Sequence, residues 1–287
     1  MRGRLHGPVM KSMSVVQDQA SHSLREGLIV IPRPTPERHH DDLGTTRIGS
    51  VVYSTVVHLS RALLATRSRL TVTAEQPLPD GPLLIAGNHL CALDPFVLGP
   101  SVDELGRRAR YMGKVSVFTT PVVGTICRAA GMIPVDRSND PALALAPAAE
   151  ELRRGGCVGI YPEGTTTRHR DFWPEAPRTG VARLALMSGA TIVPVAQWGT
   201  QRLLGHGGHK DLAANATRLR RIAITVRAGA PINLSGDAAD RGAVAAGAER
   251  VATALNALLG ELRGEPVPPY AGQRCGRRDE EACPCGD

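Results

Sequence analysis

A regular alternation of hydrophobic and polar positions begins at Val51. Val52, Val56, Leu59 and Leu63 recur at helical spacing, with Ser54, His58 and Arg61 on another face and Arg67 and Arg69 closing the run. Two readings of this amphipathic helix stand side by side: its apolar stripe packs on a core, or it lies in a lipid interface with its Arg side chains among headgroups. Beyond it, short apolar runs alternate with helical stretches. Leu83–Ala86, Tyr111–Met112, Met132–Val135, Val158–Tyr161, Ile192–Val195 and Ile222–Val226 read as strands. Helices are predicted at 95–105, 121–130, 141–154 and 178–189, with an Ala-rich closing helix over 238–262. This order predicts an α/β domain with a mainly parallel sheet flanked by helices, preceded by the amphipathic helix.

The ends lack that pattern. Residues 1–50 contain Pro32-Arg33-Pro34-Thr35-Pro36 and His39-His40-Asp41-Asp42, and read as a flexible arm. Residues 263–287, Pro-rich and then charged, read as a second flexible tail, which leaves 51–262 as the folded domain.

Composition narrows the class. At 42% hydrophobic over 287 residues a sizeable core can form, which excludes wholesale disorder and fibrous repeats. No stretch approaches the about 18 consecutive apolar residues of a spanning helix, and no secretory signal is visible at the start. Six Cys in a chain of this length do not make a disulfide scaffold, so reduced thiols are expected. The formal charge is +7. Seven basic against five acidic residues in 1–50, and four against five in 263–287, place +6 on residues 51–262. Such a surface attracts anionic substrates, an anionic membrane or nucleic acid. Nucleic acid is disfavoured: aromatics are 3% of the chain, leaving few stacking platforms, and no nucleic-acid-binding motif appears.

Four segments carry candidate chemistry. In Asn88-His89-Leu90-Cys91-Ala92-Leu93-Asp94-Pro95, directly after a strand, His and Asp five apart would point about 140° apart on a helix and to opposite faces of a strand. They meet only across a turn, and Asp94-Pro95, a good N-cap pair, supplies one. The Asp can then hold one imidazole nitrogen while the other faces a substrate; an ordinary helix cap beside an unrelated His is the competing reading. Gly131-Met132-Ile133-Pro134-Val135-Asp136-Arg137 ends a short strand in an Asp-Arg pair, offering a guanidinium fork for a phosphate or a plain surface ion pair. Tyr161-Pro162-Glu163-Gly164-Thr165-Thr166-Thr167-Arg168 follows another strand, and Gly164 permits close backbone approach. Ile192-Val193-Pro194-Val195 is a strand with a Pro and signals nothing alone.

In this order and spacing the four segments resemble the glycerolipid acyltransferase family typified by 1-acyl-glycerol-3-phosphate acyltransferases, from roughly Val51 to Ala230. The resemblance implies that His89 is the general base for the acceptor hydroxyl and that Asp94 orients it. Arg137 would bind the acceptor phosphate, and Asn88, Lys114, Glu163, Gly164 and Thr165 would belong to the substrate-binding side. Lys114 stands where the family commonly has a Lys. Thr166 departs from the family's usual Arg, so Arg168 or Arg170 would have to reach back to supply that phosphate contact. The resemblance further implies an acyl-CoA or acyl-carrier-protein donor, a lysophospholipid acceptor and peripheral attachment to the anionic cytoplasmic face of a membrane.

The chemistry is coherent without the family. A thioester is already activated, so an attacking alcohol needs a base and the tetrahedral oxyanion needs donors. With no Ser or Cys in a nucleophile's place, direct attack is favoured, Cys91 being the one nearby rival. A Gly-x-Ser-x-Gly elbow, a P-loop and an ordered Gly-x-Gly-x-x-Gly are all missing. No cofactor or metal is needed: His206, His209 and Asp211 read as a polar loop, and Cys275, Cys283 and Cys285 lack a fourth spaced ligand. A non-catalytic lipid-binding protein remains the alternative from another class.

Overall fold

The computed structural model describes residues 47–136, 141–205 and 221–275. Helix α1 (Arg47–Arg67) leads without a loop into strand β1 (Ser68–Ala74), followed by β2 (Leu83–Gly87), α2 (Asp94–Glu104) and β3 (Ala109–Lys114). A helical turn α3 (Val115–Phe118) and helix α4 (Pro121–Ala129) lead to β4 (Ile133–Val135), α5 (Pro141–Arg153) and β5 (Cys157–Ile160). The chain continues through α6 (Gly180–Ser188), β6 (Thr191–Trp198), β7 (Ile222–Ala228) and α7 (Arg241–Arg263).

These strands form one seven-stranded sheet in the order β1-β7-β6-β2-β5-β3-β4. Strands β2 to β6 run parallel, and the sheet is flanked by helices as the alternation predicts. The exception is the β7–β1 pair: the two are parallel to each other and antiparallel to β6. Strands β2 and β6, buried along nearly their whole length, read as continuous apolar runs because helices cover both faces. One face packs Leu84, Val158 and Ile192 against Leu152, Leu184 and Val251. The other packs Leu83, Ile85 and Val193 against Val97, Leu98 and Val102. Each such fully buried aliphatic side chain contributes about 1.5–3 kcal/mol.

Three expectations need correction. Strand β1 lies where the sequence reading closes a helix on Arg69; Leu70 and Val72 alternate with Arg69, Thr71 and Thr73, and the strand pairs with β7 from Ser68 to Ala74. The helix itself starts at Arg47, inside the expected arm, and it does not use Val52, Val56, Leu59 and Leu63 as its core face. Tyr53, Val57 and Ser60 are buried instead, Leu64 packs on the core cluster that holds Val97, Leu98 and Val102, and Arg61 fastens the helix by bonds to the Pro100 carbonyl (2.8 Å) and to Asp103 (3.4 Å). Leu59 and Leu63 stay 57% and 61% exposed. Finally, the segment after Arg263 is packed through Cys275 rather than loose. Arg263 lies 4.4 Å from the ring centres of both Trp173 and Trp198, Tyr270 donates to Asp171, and the Gln273 carbonyl lies 3.0 Å from the buried His169 Nε2.

Candidate active site

Because β2 to β6 are parallel, their carboxyl ends share one edge of the sheet, the usual ligand edge of such folds. Along that edge the segments singled out from the sequence fall side by side. His89 follows β2, Glu163 follows β5, Lys114 ends β3 and Asp136 follows β4. The register places Lys114 level with the Pro162–Glu163 turn, since Tyr111 pairs with Gly159. Lys114 and Thr165 are exposed. Arg137 lies outside the described residues, as do His206, His209 and Asp211.

His89 and Asp94 meet as the turn requires. Asp94 is fully buried, and its Oδ2 lies 2.9 Å from His89 Nδ1 while also accepting the amides of Leu90 (2.5 Å) and Cys91 (2.8 Å). A carboxylate held by that many donors assigns the proton to Nδ1, so Nε2 carries the free lone pair. Nε2 has no hydrogen-bond partner among the described residues, and the His89 side chain is 17% exposed. The N-cap expected of Asp94 takes another form. Its side chain turns back onto the amides of the preceding turn, and helix α2 begins at Asp94 itself without a side-chain cap. Pro95 at the first turn suits this arrangement because it needs no N–H partner there.

The imidazole is fixed on other sides as well. The Tyr161 ring stacks on it with centroids 4.1 Å apart and 17° between the planes. The His89 amide donates to Glu163 Oε1 (2.8 Å), and its carbonyl accepts from the Thr167 amide (2.8 Å). Asn88, fully buried, exchanges three hydrogen bonds with Gln197 at the end of β6. The Thr200 hydroxyl donates to Asp94 Oδ1 at 2.6 Å. Tyr161 opens the third segment singled out from the sequence, whereas Gln197 and Thr200 were not singled out. The sequence signal for these two is their place at the end of β6, and the 103 to 111 residues that separate them from the His-Asp turn they support are too many for a local pattern to show.

Glu163 is buried and bridges two segments, with Oε1 on the His89 amide and Oε2 on the Glu175 amide (3.1 Å). Gly164 next to it has φ +73°, a left-handed conformation that a side chain would strain, which the turn needs to bring its amide to the Tyr161 carbonyl (2.9 Å). Burial pushes the Glu163 carboxyl up to about 8, against the two amides that pull it down. A native group that holds its proton where the unfolded chain releases it stabilises at low pH, and that contribution is lost as pH rises from about 4.5 to about 8. Thermal midpoints measured across this range should therefore fall for the wild type relative to Glu163→Gln, whose profile lacks this component; parallel profiles would contradict it.

Arg168 is committed locally. Its guanidinium grips Glu175 with Nε to Oε1 at 2.9 Å and an Nη to Oε2 at 2.8 Å, and that partner holds Glu175 below the usual carboxylate range. Arg178, missed in the sequence, donates through Nε to the Glu163 carbonyl (3.3 Å) on the same turn. Cys91 is buried with its thiol pushed up to about 12 by burial and by Asp94, so it is not a thiolate near neutral pH. No cluster of three or more His, Cys, Asp or Glu side chains suited to a metal occurs among the described residues.

Comparison with known proteins fits this geometry. Residues 69–198 match the acyltransferase family model. The 1-acyl-sn-glycerol-3-phosphate acyltransferase of Bacillus subtilis is 29% identical over 150 residues, 52% of this chain and 72% of that protein. The lyso-ornithine lipid O-acyltransferase of Pseudomonas aeruginosa is 32% identical over 142 residues, 48% of this chain and 50% of that one. In three other curated relatives the matched stretch spans between 36% and 52% of their length. The crystal structure of the 1-acyl-sn-glycerophosphate acyltransferase PlsC from Thermotoga maritima superposes with a TM-score of 0.57 at 18% identity, covering 77% of this chain and 83% of that one, and so shares the fold. From strand β1 to the end of β6, the chain is similar to the acyltransferase domain found in the glycerolipid acyltransferases.

Proposed function

We propose that the protein transfers a fatty acyl group from acyl-CoA or acyl-carrier protein to the free hydroxyl of a lysophospholipid, with 1-acyl-glycerol-3-phosphate as first acceptor. The observation that carries this is the His89–Asp94 pair: an Nδ1-protonated ring on a buried carboxylate, its Nε2 unpartnered at the ligand edge of the sheet. Nε2 takes the hydroxyl proton as the acceptor oxygen attacks the thioester carbonyl. The oxyanion collapses, the C–S bond breaks, and the imidazolium returns its proton to the leaving thiolate. The products are the diacylated lipid and a free thiol. Lys114, which ends β3, and Arg137, which follows the Asp136 of the next motif in sequence, supply the positive end for an anionic acceptor, and Asn88, Glu163, Gly164 and Thr165 hold the acceptor loop in place. Arg137→Ala should raise the acceptor's KM most.

A second acceptor class is favoured by one observation. Thr166 replaces the Arg usual in this motif, and the fork of Arg168 is occupied by Glu175. A lyso-lipid without a phosphomonoester needs no such contact, and one relative is named for a lyso-ornithine lipid. Thiol release measured with a panel of lyso-lipids separates the two: turnover with lysophosphatidic acid favours the first, turnover only with the others favours the second.

The site of action we propose is the cytoplasmic face of the membrane, where the soluble donors are available. Leu59 and Leu63 on α1 are exposed, as are Val122 (70%) and Ile126 (45%) on α4, which packs against α1, and the chain from α1 into β1 carries the basic Arg67 and Arg69. No helix among the described residues is long and apolar enough to cross a membrane. Leu59→Asp combined with Leu63→Asp, both at exposed positions, should weaken co-sedimentation with anionic vesicles by about 10²-fold or more. Unchanged co-sedimentation would remove this helix from the membrane contact.

A further inference from the structure

The end of β6 forms a third wall of the His-Asp centre. Gln197 locks Asn88, the residue before the base, through the Gln197 amide to Asn88 Oδ1 (2.8 Å) and the Gln197 side-chain amide to the Asn88 carbonyl (2.9 Å). Two residues beyond β6, Thr200 is fully buried and its hydroxyl donates to Asp94 Oδ1 at 2.6 Å. Its placement is built in by Gly199. That residue has φ +112°, and a Cβ there would fall 2.2 Å from the Ala223 carbonyl of β7. Only glycine lets the chain turn this closely under β7 and bring Thr200 back to the carboxylate.

Asp94 is thus held unevenly. Three N–H donors converge on Oδ2, whereas Oδ1 has the Thr200 hydroxyl and, at 3.6 Å, the weakly donating Cys91 thiol. A carboxylate fixed through one oxygen can still swing about its Cβ–Cγ bond, and Nδ1–H of His89 follows whichever oxygen it faces. We propose that Thr200 is a positioning residue of the acyl-transfer centre, its hydroxyl holding the Asp94 carboxylate in the one plane that aims His89 Nε2 at the acceptor hydroxyl. The inference rests on the general-base reading of His89. The rival is a core hydroxyl that merely satisfies a buried oxygen, which would affect stability and leave turnover of the folded enzyme alone.

Thr200→Val keeps the shape and removes the hydroxyl; Thr200→Ser keeps the hydroxyl. With both folded by circular dichroism, the Val variant should lose about 10–10²-fold in kcat, since small misplacements of a reacting group cost that much, with donor and acceptor KM within about twofold. The Ser variant should regain most of the loss. In an Asp94→Asn background, Thr200→Val should cost little further, because both act through one carboxylate. A Val variant with wild-type kcat, an equal loss in Val and Ser, or a full additional loss in the Asp94→Asn background would each overturn the proposal. Nitrogen-15 NMR of the His89 ring, assigned with His89→Ala, tests the positioning without turnover. It should show a single Nδ1-protonated tautomer in the wild type and a mixed or broadened ring in Thr200→Val; identical rings would overturn it. If the wild type turned over no lyso-lipid with either donor, the function reading would fall, and the NMR comparison would still decide on Thr200.

Discussion

His89→Ala is expected to lower kcat by about 10²–10⁴-fold, the range that a positioned general base contributes. The fold should survive. The backbone groups of His89 that join it to Glu163 and Thr167 remain, and the buried neighbours Asn88 and Asp94 keep their own partners. The loss is confined to the ring: its stack on Tyr161 and its bond to Asp94. KM for the donor and for the acceptor should move little, because the imidazole is needed for the proton in the transition state rather than for binding. Steady-state kinetics beside a thermal melt checks this. A variant that is folded and turns over like the wild type would sink the mechanism.

The second large effect belongs to Asp94→Asn, expected to cost kcat about 10²–10⁴-fold although the side chain keeps its size. An amide oxygen in the Oδ2 position still accepts from Leu90 and Cys91, and the new NH₂ can donate to the Thr200 oxygen. The turn is therefore preserved. What disappears is the negative charge that stabilises the imidazolium formed during proton transfer, and with it the certainty that Nδ1 carries the proton. Turnover and a melting curve on the same preparation separate this from unfolding. A kcat within a few-fold of wild type would mean that Asp94 caps a turn and no more.

Much of this architecture is legible in the chain because the central strands are continuous apolar runs bounded by helical stretches, and their carboxyl ends carry the polar motifs. The buried Leu83–Gly87 run followed by His89 and Asp94 is the clearest case, since the turn between them is encoded locally by Asp94-Pro95. Strand β1 escaped because helix α1 runs into it at Arg67 and Ser68 with no turn residues between, and because its pairing with β7 joins segments more than 150 residues apart. Which face of α1 packs is left open by its pattern for a related reason. That helix has apolar residues on two faces, and only the Arg61–Asp103 clasp and the burial of Tyr53 and Val57 reveal which one packs. Arg168, a candidate from sequence for the phosphate contact, is paired with Glu175 because the loop folds back on itself. The end of β6 carries no motif signal, and its role emerges when Gln197 and Thr200 land on Asn88 and Asp94.

The most direct test of the account is thiol release from a long-chain acyl-CoA by purified protein with 1-acyl-glycerol-3-phosphate and a panel of other lyso-lipids, wild type beside His89→Ala, with acyl-carrier-protein donor as the second arm. The account predicts acceptor-dependent release matched by diacylated lipid in the wild type and its loss in the variant. Release that ignores the acceptor, release that persists without His89, or no release with either donor would contradict it.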